Sequence, residues 1–497
     1  MPRSVNPKRR YGILAVALSL FAASAIADTT RPNIVLIMTD DQGYGEASCY
    51  VDNQHLPTPG IDRIAREGMR FTDAHSASAV CTPTRYGLLT GRYPWRTHLQ
   101  SGVLSLKSKK LTGPEIYGHG DECLIRPGTT TLASLLKEKG YQTAMVGKWH
   151  LGCMFHFPAG KTQKENALPP VGSTVLGGPC EYGFDQYWGP HHAREIRTWI
   201  ENRTVTQILK EDSEVLPKLT QVAVDYIESQ HNARQPFFLY VPLTSPHTPH
   251  APSEAFQGKS SFGTYGDFVM ETDNTVEQIL NALDRIDASQ NTLVIFTCDN
   301  GTSRANKMID KLRAQGFDPL AGLRGSKSDA WEGGHRVPYV VRWPAVIEAG
   351  QVSDALICHN NNLATFAEIV GRPLSSEEGT DSFSILPLLI GEAKETHPYV
   401  IHATITGHLS LRTQKWKFIS TQGSGGWTRG GDEHPFQLYK MDEDRNETTN
   451  LYPTEPERVE QMKATLVRLV EQGYSVEGKQ GQNDVEVQAI KKPRKRK

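Results

Sequence analysis

"NIVLIMTDD", residues 33–41, decides how the rest of the chain is read. From Ile34 to Met38 every residue is apolar, and the run then stops at Thr39-Asp40-Asp41. A strand with one face in water alternates apolar and polar residues; an unbroken apolar run is how a strand buried on both faces of a parallel sheet reads. The same grammar returns three times. "TAMV" (from Thr143) ends in Gly147-Lys148-Trp149-His150, "FFLYV" (from Phe237) ends in "PLTSPHTPH", and "LVIFT" (from Leu293) ends in Cys298-Asp299-Asn300-Gly301. Between these runs lie stripes at helical spacing: Leu132, Leu135 and Leu136 ahead of Gly140; Leu219, Val222, Ala223, Tyr226 and Ile227; Val276, Ile279, Leu280 and Leu283. The alternation predicts an α/β fold, a large and mostly parallel sheet sandwiched by helices. Ligands in such sheets sit beyond the carboxyl ends of the strands. All four polar clusters fall at those ends, so one crevice is expected to hold them.

At 497 residues the chain is too long for one core and long enough for a large domain plus a small one. After about residue 395 the texture changes to "PYVIHATI", "KWKFIS" and "FQLYKM" and then to a helical stretch around Val459 to Val470. This predicts a catalytic domain over 28–395, an α+β unit with an antiparallel sheet over 396–480, and a basic unstructured tail over 481–497 ending in "KKPRKRK". "SSEEGTD" and "TQGSGGWTRGGDE" read as loops. A net charge of −1 creates no overall field for nucleic acid or an anionic membrane, and no nucleic-acid partner is expected. Residues 1–27 combine the basic "NPKRR", the apolar "YGILAVALSLFAASA" and the small residues Ala25-Ile26-Ala27. They read as a signal peptide cleaved before Asp28, giving a periplasmic or secreted protein with no membrane span left; Arg9-Arg10 leaves Sec and twin-arginine export both open.

Asp40 and Asp41 at one strand end face Asp299 and Asn300 at another. Converging carboxylates repel unless a cation sits among them, and an all-oxygen donor set selects Ca²⁺, or Mg²⁺, over zinc. The prolines of "SPHTPH" exclude the helical two-histidine zinc geometry. Arg85, Lys148, His150, His247 and Lys327 add cationic or proton-carrying groups, so the crevice suits an anionic substrate whose added charge is stabilised in the transition state. Seven cysteines in an exported chain leave one unpaired or chemically special. Cys81 opens what reads as a helix, with Pro83 in its first turn and Arg85 one turn along, and is expected to face the anion site as a nucleophile.

At these residues the chain resembles the formylglycine-dependent sulfatases, arylsulfatase-like members of the alkaline phosphatase superfamily. Their signature, Cys-x-Pro-x-Arg with a later Thr-Gly, reads here Cys81-Thr82-Pro83-Thr84-Arg85 with Thr90-Gly91. "RPNIVLIMTDDQGYGE", "MVGKWHLG", "SPHTPH", "CDNG" and "LRGSKSDAWEGGHRVP" extend the similarity in order across most of the chain. Two departures stand out: Cys298 where many relatives carry a hydroxyl residue, and Thr84 where serine is common.

The resemblance implies an alkaline phosphatase-like fold and a maturation enzyme that oxidises Cys81 to formylglycine, whose hydrate attacks the sulfur of a sulfate ester and then expels inorganic sulfate. It implies Ca²⁺ on Asp40, Asp41, Asp299 and Asn300, shared with the modified Cys81. Arg85 and His150 would position and deprotonate the hydrate; Lys148, His247 and Lys327 would bind sulfate and help the leaving oxygen take a proton. The substrate implied is a sulfated carbohydrate or an aryl sulfate. His191, His192, Arg194, Trp199, Trp95, Arg96 and His98 are expected in loops above the crevice as candidates for substrate contact. The rival readings are a phosphonate or phosphate ester hydrolase of the same superfamily and a silent sulfated-glycan-binding protein.

Overall fold

The computed structural model describes residues 31–51, 56–104, 108–110, 116–119, 123–159 and 168–491. The expected signal peptide lies outside the described residues. Strand β1 (Asn33–Asp40) is buried from Ile34 to its end. It pairs in parallel with β4 (Phe237–Pro246) on one side and with β5 (Thr292–Cys298) on the other. Next to β4 the parallel series continues through β2 (Gln142–Val146) to β3 (Gln186–Gly189). This five-strand centre is the parallel sheet read from the apolar runs. Antiparallel strands extend it on both flanks, beginning with β6 (Tyr339–Arg342) beside β5 and Thr198–Glu201 beside β3, to make one mixed sheet of 14 strands.

Alternate residues of β1 feed opposite faces, as the two-residue period of a strand requires. Ile34, Leu36 and Met38 join the core under α2 (Cys81–Thr90), α3 (Leu132–Glu138) and α6 (Asn361–Ile369). Val35 and Ile37 join the core under α1 (Pro59–Arg66), α4 (Val215–Ser229) and α5 (Gly263–Arg285). At about 1.5–3 kcal/mol for each large apolar side chain buried, both layers are needed to hold a strand with so little polar surface. Among the described residues no helix is long and apolar enough to cross a membrane. All seven cysteines are free thiols.

A four-stranded antiparallel sheet follows: β7 (Val400–Ala403), β8 (Leu409–Arg412), β9 (Trp416–Ile419) and β10 (Gln437–Lys440), backed by α7 (Pro456–Glu471). Buried charge joins it to the large sheet. Lys417 Nζ sits 2.9 Å from Glu332 and 2.7 Å from Glu447, and Arg412 and Arg336 both reach Asp73, the former at 2.7 Å. Residues 481–491, expected in an unstructured tail, instead pack on the body. Asp484 pairs with Arg92 at 2.9 Å, Arg96 donates to Asn483 at 3.0 Å, and Val487, Ala489 and Ile490 enter the C-terminal core. Val487, Ala489 and Ile490 give this segment an apolar surface to bury that its basic ending conceals.

Candidate active site

Register explains why the strand ends meet. Asp40 lies beside Pro246 on one neighbour and Thr39 beside Cys298 on the other, so Asp40, His247 and Asp299 leave the sheet at one level. The pairing of β1 with β4 is irregular between Met38 and Asp40, and Asp41 then takes a left-handed φ of 67°, which turns its carboxylate back over the strand ends. Asp41 N–H donates to Asp299 Oδ1 (3.2 Å), and Asn300 Nδ2 donates to Asp41 Oδ1 (2.8 Å). Cys298, in the place of a hydroxyl residue, accepts from Gln42 N–H at 3.0 Å and donates to the Asn300 carbonyl at 3.2 Å, so a thiol ties the two strand ends together.

Cys81 is the first residue of α2, after an extended Val80. Gly91 stops that helix at φ 64°, where an added Cβ would lie 2.9 Å from Leu363 and Ser382. The late Thr-Gly of the signature is therefore a helix stop and a packing requirement, while its Cys and Arg face the carboxylates of Asp40 and Asp299. Cys81 Sγ and carboxylate oxygens of Asp40 and Asp299 lie within 4.8 Å of one another. Arg85 Nη2 donates to Asp299 Oδ2 at 2.8 Å and stands 3.6 Å from Asp40, and its Nη1 donates to the Lys148 carbonyl at 3.2 Å. Lys148 Nζ meets Asp40 Oδ2 at 2.5 Å, and Lys327 Nζ meets Asp41 Oδ1. His247 donates from Nδ1 to the Thr248 carbonyl (2.6 Å), which leaves Nε2 bare, 3.7 Å from Asp41. His150, at a left-handed φ of 54°, is buried with no protein partner on either ring nitrogen.

The charges are strongly interdependent. Burial opposes ionisation of Asp40, but Lys148, His247, Arg85 and Lys327 outweigh it and hold the carboxyl well below the usual range. Burial, and then the proximity of Asp40, pushes Asp299 up. Burial also pushes the Cys81 thiol up, and holds His150 well below its ordinary value with help from Lys148. Asp40 Oδ1 and Asn300 Oδ1 are buried and receive no hydrogen bond from the protein. Oxygen lone pairs left bare in a dry site are costly, and a hard divalent cation is the partner that this donor set fits.

Every residue expected at the site from the strand ends and the Cys81 helix is thus gathered in one crevice. The flanking candidates fare differently. Trp199 is buried in the sheet with Lys218 Nζ 4.2 Å over its ring, Trp95 is buried against Tyr93, and Arg96 is locked in a bidentate pair with Asp381. None of these three is a loop residue free to meet substrate; their aromatic and cationic side chains serve packing. His192 packs edge-on against His150 at 4.4 Å, His191 is also buried, and Arg194 and His98 are exposed. Sequence reasoning passed over Glu46, which accepts from Gly43 N–H and from the hydroxyls of Tyr265 and Thr302 (3.2 Å) just behind Asp41. Its only signal was an acidic residue inside the "DDQGYGE" run.

The sequence profile described as Sulfatase matches residues 32–372. The chain is 31% identical to N-acetylgalactosamine-6-O-sulfatase of Bacteroides thetaiotaomicron, over 88% of this chain and 93% of the relative. It is 31% identical to human steryl-sulfatase, over 83% and 80% of the two chains. A solved 6S-sulfatase of glycosaminoglycan metabolism in B. thetaiotaomicron superposes with a TM-score of 0.76 at 28% identity, over 88% of this chain and 99% of that one. With the Cys81 signature at the head of α2 and the profile spanning the whole parallel sheet, the chain belongs to the formylglycine-dependent sulfatase family.

Proposed function

We propose that this sulfatase hydrolyses a sulfate ester of a carbohydrate, R–O–SO₃⁻ + H₂O → R–OH + SO₄²⁻ + H⁺, with residue 81 acting as formylglycine beside a Ca²⁺ ion. The observation that carries the proposal is the meeting of Cys81 Sγ with Asp40 and Asp299 inside a ring of cations. A carbonyl carbon at position 81, once hydrated, supplies a nucleophilic hydroxyl and a second hydroxyl able to release sulfate. Asp40, Asp41, Asp299 and Asn300 would hold the cation, which supplies positive charge against the ester and the nucleophile.

The remaining chemistry belongs to the chain's own side chains. Lys148 and Lys327, each now on an aspartate, are poised to share their charge with the sulfuryl oxygens, and Arg85 fixes Asp299 and the head of α2 in register. His150 has both ring nitrogens free of protein partners, so it can accept the proton of the attacking hydroxyl. His247, with Nδ1–H committed to the Thr248 carbonyl, has Nε2 3.7 Å from Asp41, and in the doubly protonated imidazolium form that nitrogen can hand a proton to the departing alcohol oxygen. The carbohydrate reading is supported by the relative that is an N-acetylgalactosamine-6-O-sulfatase and aligns over most of both chains. Export rests on residues 1–27 and is proposed on that ground, with a maturation enzyme as the partner that acts on Cys81.

Mass spectrometry of the Cys81 peptide from the native host should show a thiol replaced by an aldehyde; fully active protein with an intact cysteine would refute the mechanism. Parallel rates on an aryl sulfate, a phosphate diester, a phosphonate ester and sulfated saccharides separate the rivals, and sulfate esters turning over slowest would reverse the assignment. Mature protein that binds sulfated glycan tightly but frees no sulfate would mark a silent binder.

A further inference from the structure

Of the eight tryptophans, seven are buried or half-buried and one, Trp427, is exposed, at 52%. It lies in the glycine-rich loop between β9 and β10, and that loop is clamped. Trp427 N–H donates to Ser328 Oγ (2.9 Å), Thr428 N–H donates to Asp329 Oδ1 (3.2 Å), and the Ser424 carbonyl accepts from Ala330 N–H (2.7 Å). At Gly426 a Cβ would come 2.4 Å from the Ser328 carbonyl and from Asp329, so the close approach needs glycine. A large apolar ring held in water by a fixed backbone forgoes burial that a looser loop could recover.

The segment beneath the loop belongs to the active site. Lys327, next to Ser328, reaches Asp41, and Ser328 N–H donates to the carbonyl of Ala79, two residues before Cys81 (2.7 Å). Trp427 is therefore one hydrogen bond away from the strip that carries Lys327 and braces the head of α2. Arg304 adjoins it, donating from Nη1 to Thr428 Oγ1 at 3.0 Å, and the acid paired with its guanidinium, Asp310, stands 3.8 Å off. An exposed apolar face on a loop hydrogen-bonded to the strip that carries Lys327, with a loosely paired guanidinium held by the next residue, matches two features of an anionic sugar, the C–H face of the pyranose ring and its carboxylate or sulfate.

We infer that Trp427 and Arg304 form a subsite for the sugar next to the one being desulfated. Trp427 stacks on that ring and Arg304 takes its anionic substituent, so the C-terminal unit contributes directly to substrate choice. The inference rests on the carbohydrate reading above. Stacking that is equal in the bound and reacting complexes lowers KM and leaves kcat alone.

The test uses the mature full-length enzyme with Trp427→Ala, Trp427→Phe and Arg304→Gln, assayed on a sulfated monosaccharide and on the tetrasaccharide bearing the same sulfated residue beside a uronate. In Trp427→Ala the ratio of monosaccharide KM to tetrasaccharide KM should fall about tenfold, Trp427→Phe should recover part of it, and Arg304→Gln should lower it only when the neighbouring sugar is charged. The urea midpoint of each variant, which a structural role would move, should stay with that of the wild type. A KM ratio unmoved in Trp427→Ala overturns the subsite while the carbohydrate reading stands. A wild-type enzyme that desulfates no saccharide at all overturns both.

Discussion

Arg85 and Asp299 meet at 2.8 Å, fully buried, although 214 residues separate them in the chain. The pair ties the helix that begins at Cys81 to the end of β5 and so holds residue 81 beside the oxygen cluster. A lysine at position 85 keeps the charge but loses the planar fork that reaches Asp299, Asp40 and the Lys148 carbonyl together. Arg85→Lys should lower kcat on an aryl sulfate by about 10²–10³ while leaving thermal unfolding near wild type. A change under threefold would remove Arg85 from the reaction.

Asn300 offers a buried amide oxygen that no protein group satisfies. Asn300→Ala should weaken Ca²⁺ binding, measured by titration calorimetry on chelator-treated protein, by about tenfold or more, and excess Ca²⁺ should restore part of the lost turnover. Calcium affinity equal to that of the wild type would take Asn300 out of the ligand set.

Gly301 follows Asn300, and its N–H donates to the Gly334 carbonyl at 3.0 Å. A Cβ there would stand 1.8 Å from the carbonyl oxygen of Gly333, a backbone atom that cannot swing aside. Gly301→Ala should cost about 2–4 kcal/mol and displace Asn300, seen as a lower melting temperature together with weaker calcium binding. A melting temperature within a degree of wild type would show that the strand end has room to shift.

Asp73 sits at the junction of the two sheets. Burial opposes its ionisation, yet Arg336 and Arg412 prevail and hold its carboxyl below the usual range. Because the folded group binds its proton more weakly than the unfolded one, its contribution is complete above about pH 4, the ordinary aspartate range, and is lost as pH falls below it. Asp73→Asn should cost about 3–5 kcal/mol at pH 7, since it leaves buried arginines short of a charge, and should flatten the acid limb of the stability curve. Urea titrations at about pH 7 and about pH 2, on either side of the ordinary aspartate range, check this; a penalty equal at both would deny the linkage.

On the proposed export reading, the small residues of "ASAIAD" suit cleavage before Asp28. Amino-terminal sequencing of protein recovered outside the host cytoplasm should begin at Asp28, and an intact Met1 in that fraction would reject the leader reading.

The large-sheet core was legible because burial on both faces leaves unbroken apolar runs, and because the polar residues that end them share one edge of the sheet. The strand Leu409–Arg412 escaped notice: "LSLR" is short and half polar, and the carboxylate that pairs with its buried arginine, Asp73, lies 339 residues earlier in the chain. Trp95, Arg96 and Trp199 misled for the converse reason, since aromatic and cationic side chains suit packing as well as they suit a ligand.

The amino-acid order alone determined the α/β class, the four strand ends and the identity of the groups that can meet there, because hydrophobic periodicity and residue chemistry are local properties. Only the tertiary structure decided which lone pairs are left bare, which cation touches which carboxylate, and which tryptophan faces water. Those outcomes depend on register and on partners hundreds of residues away, whose distances no local pattern encodes.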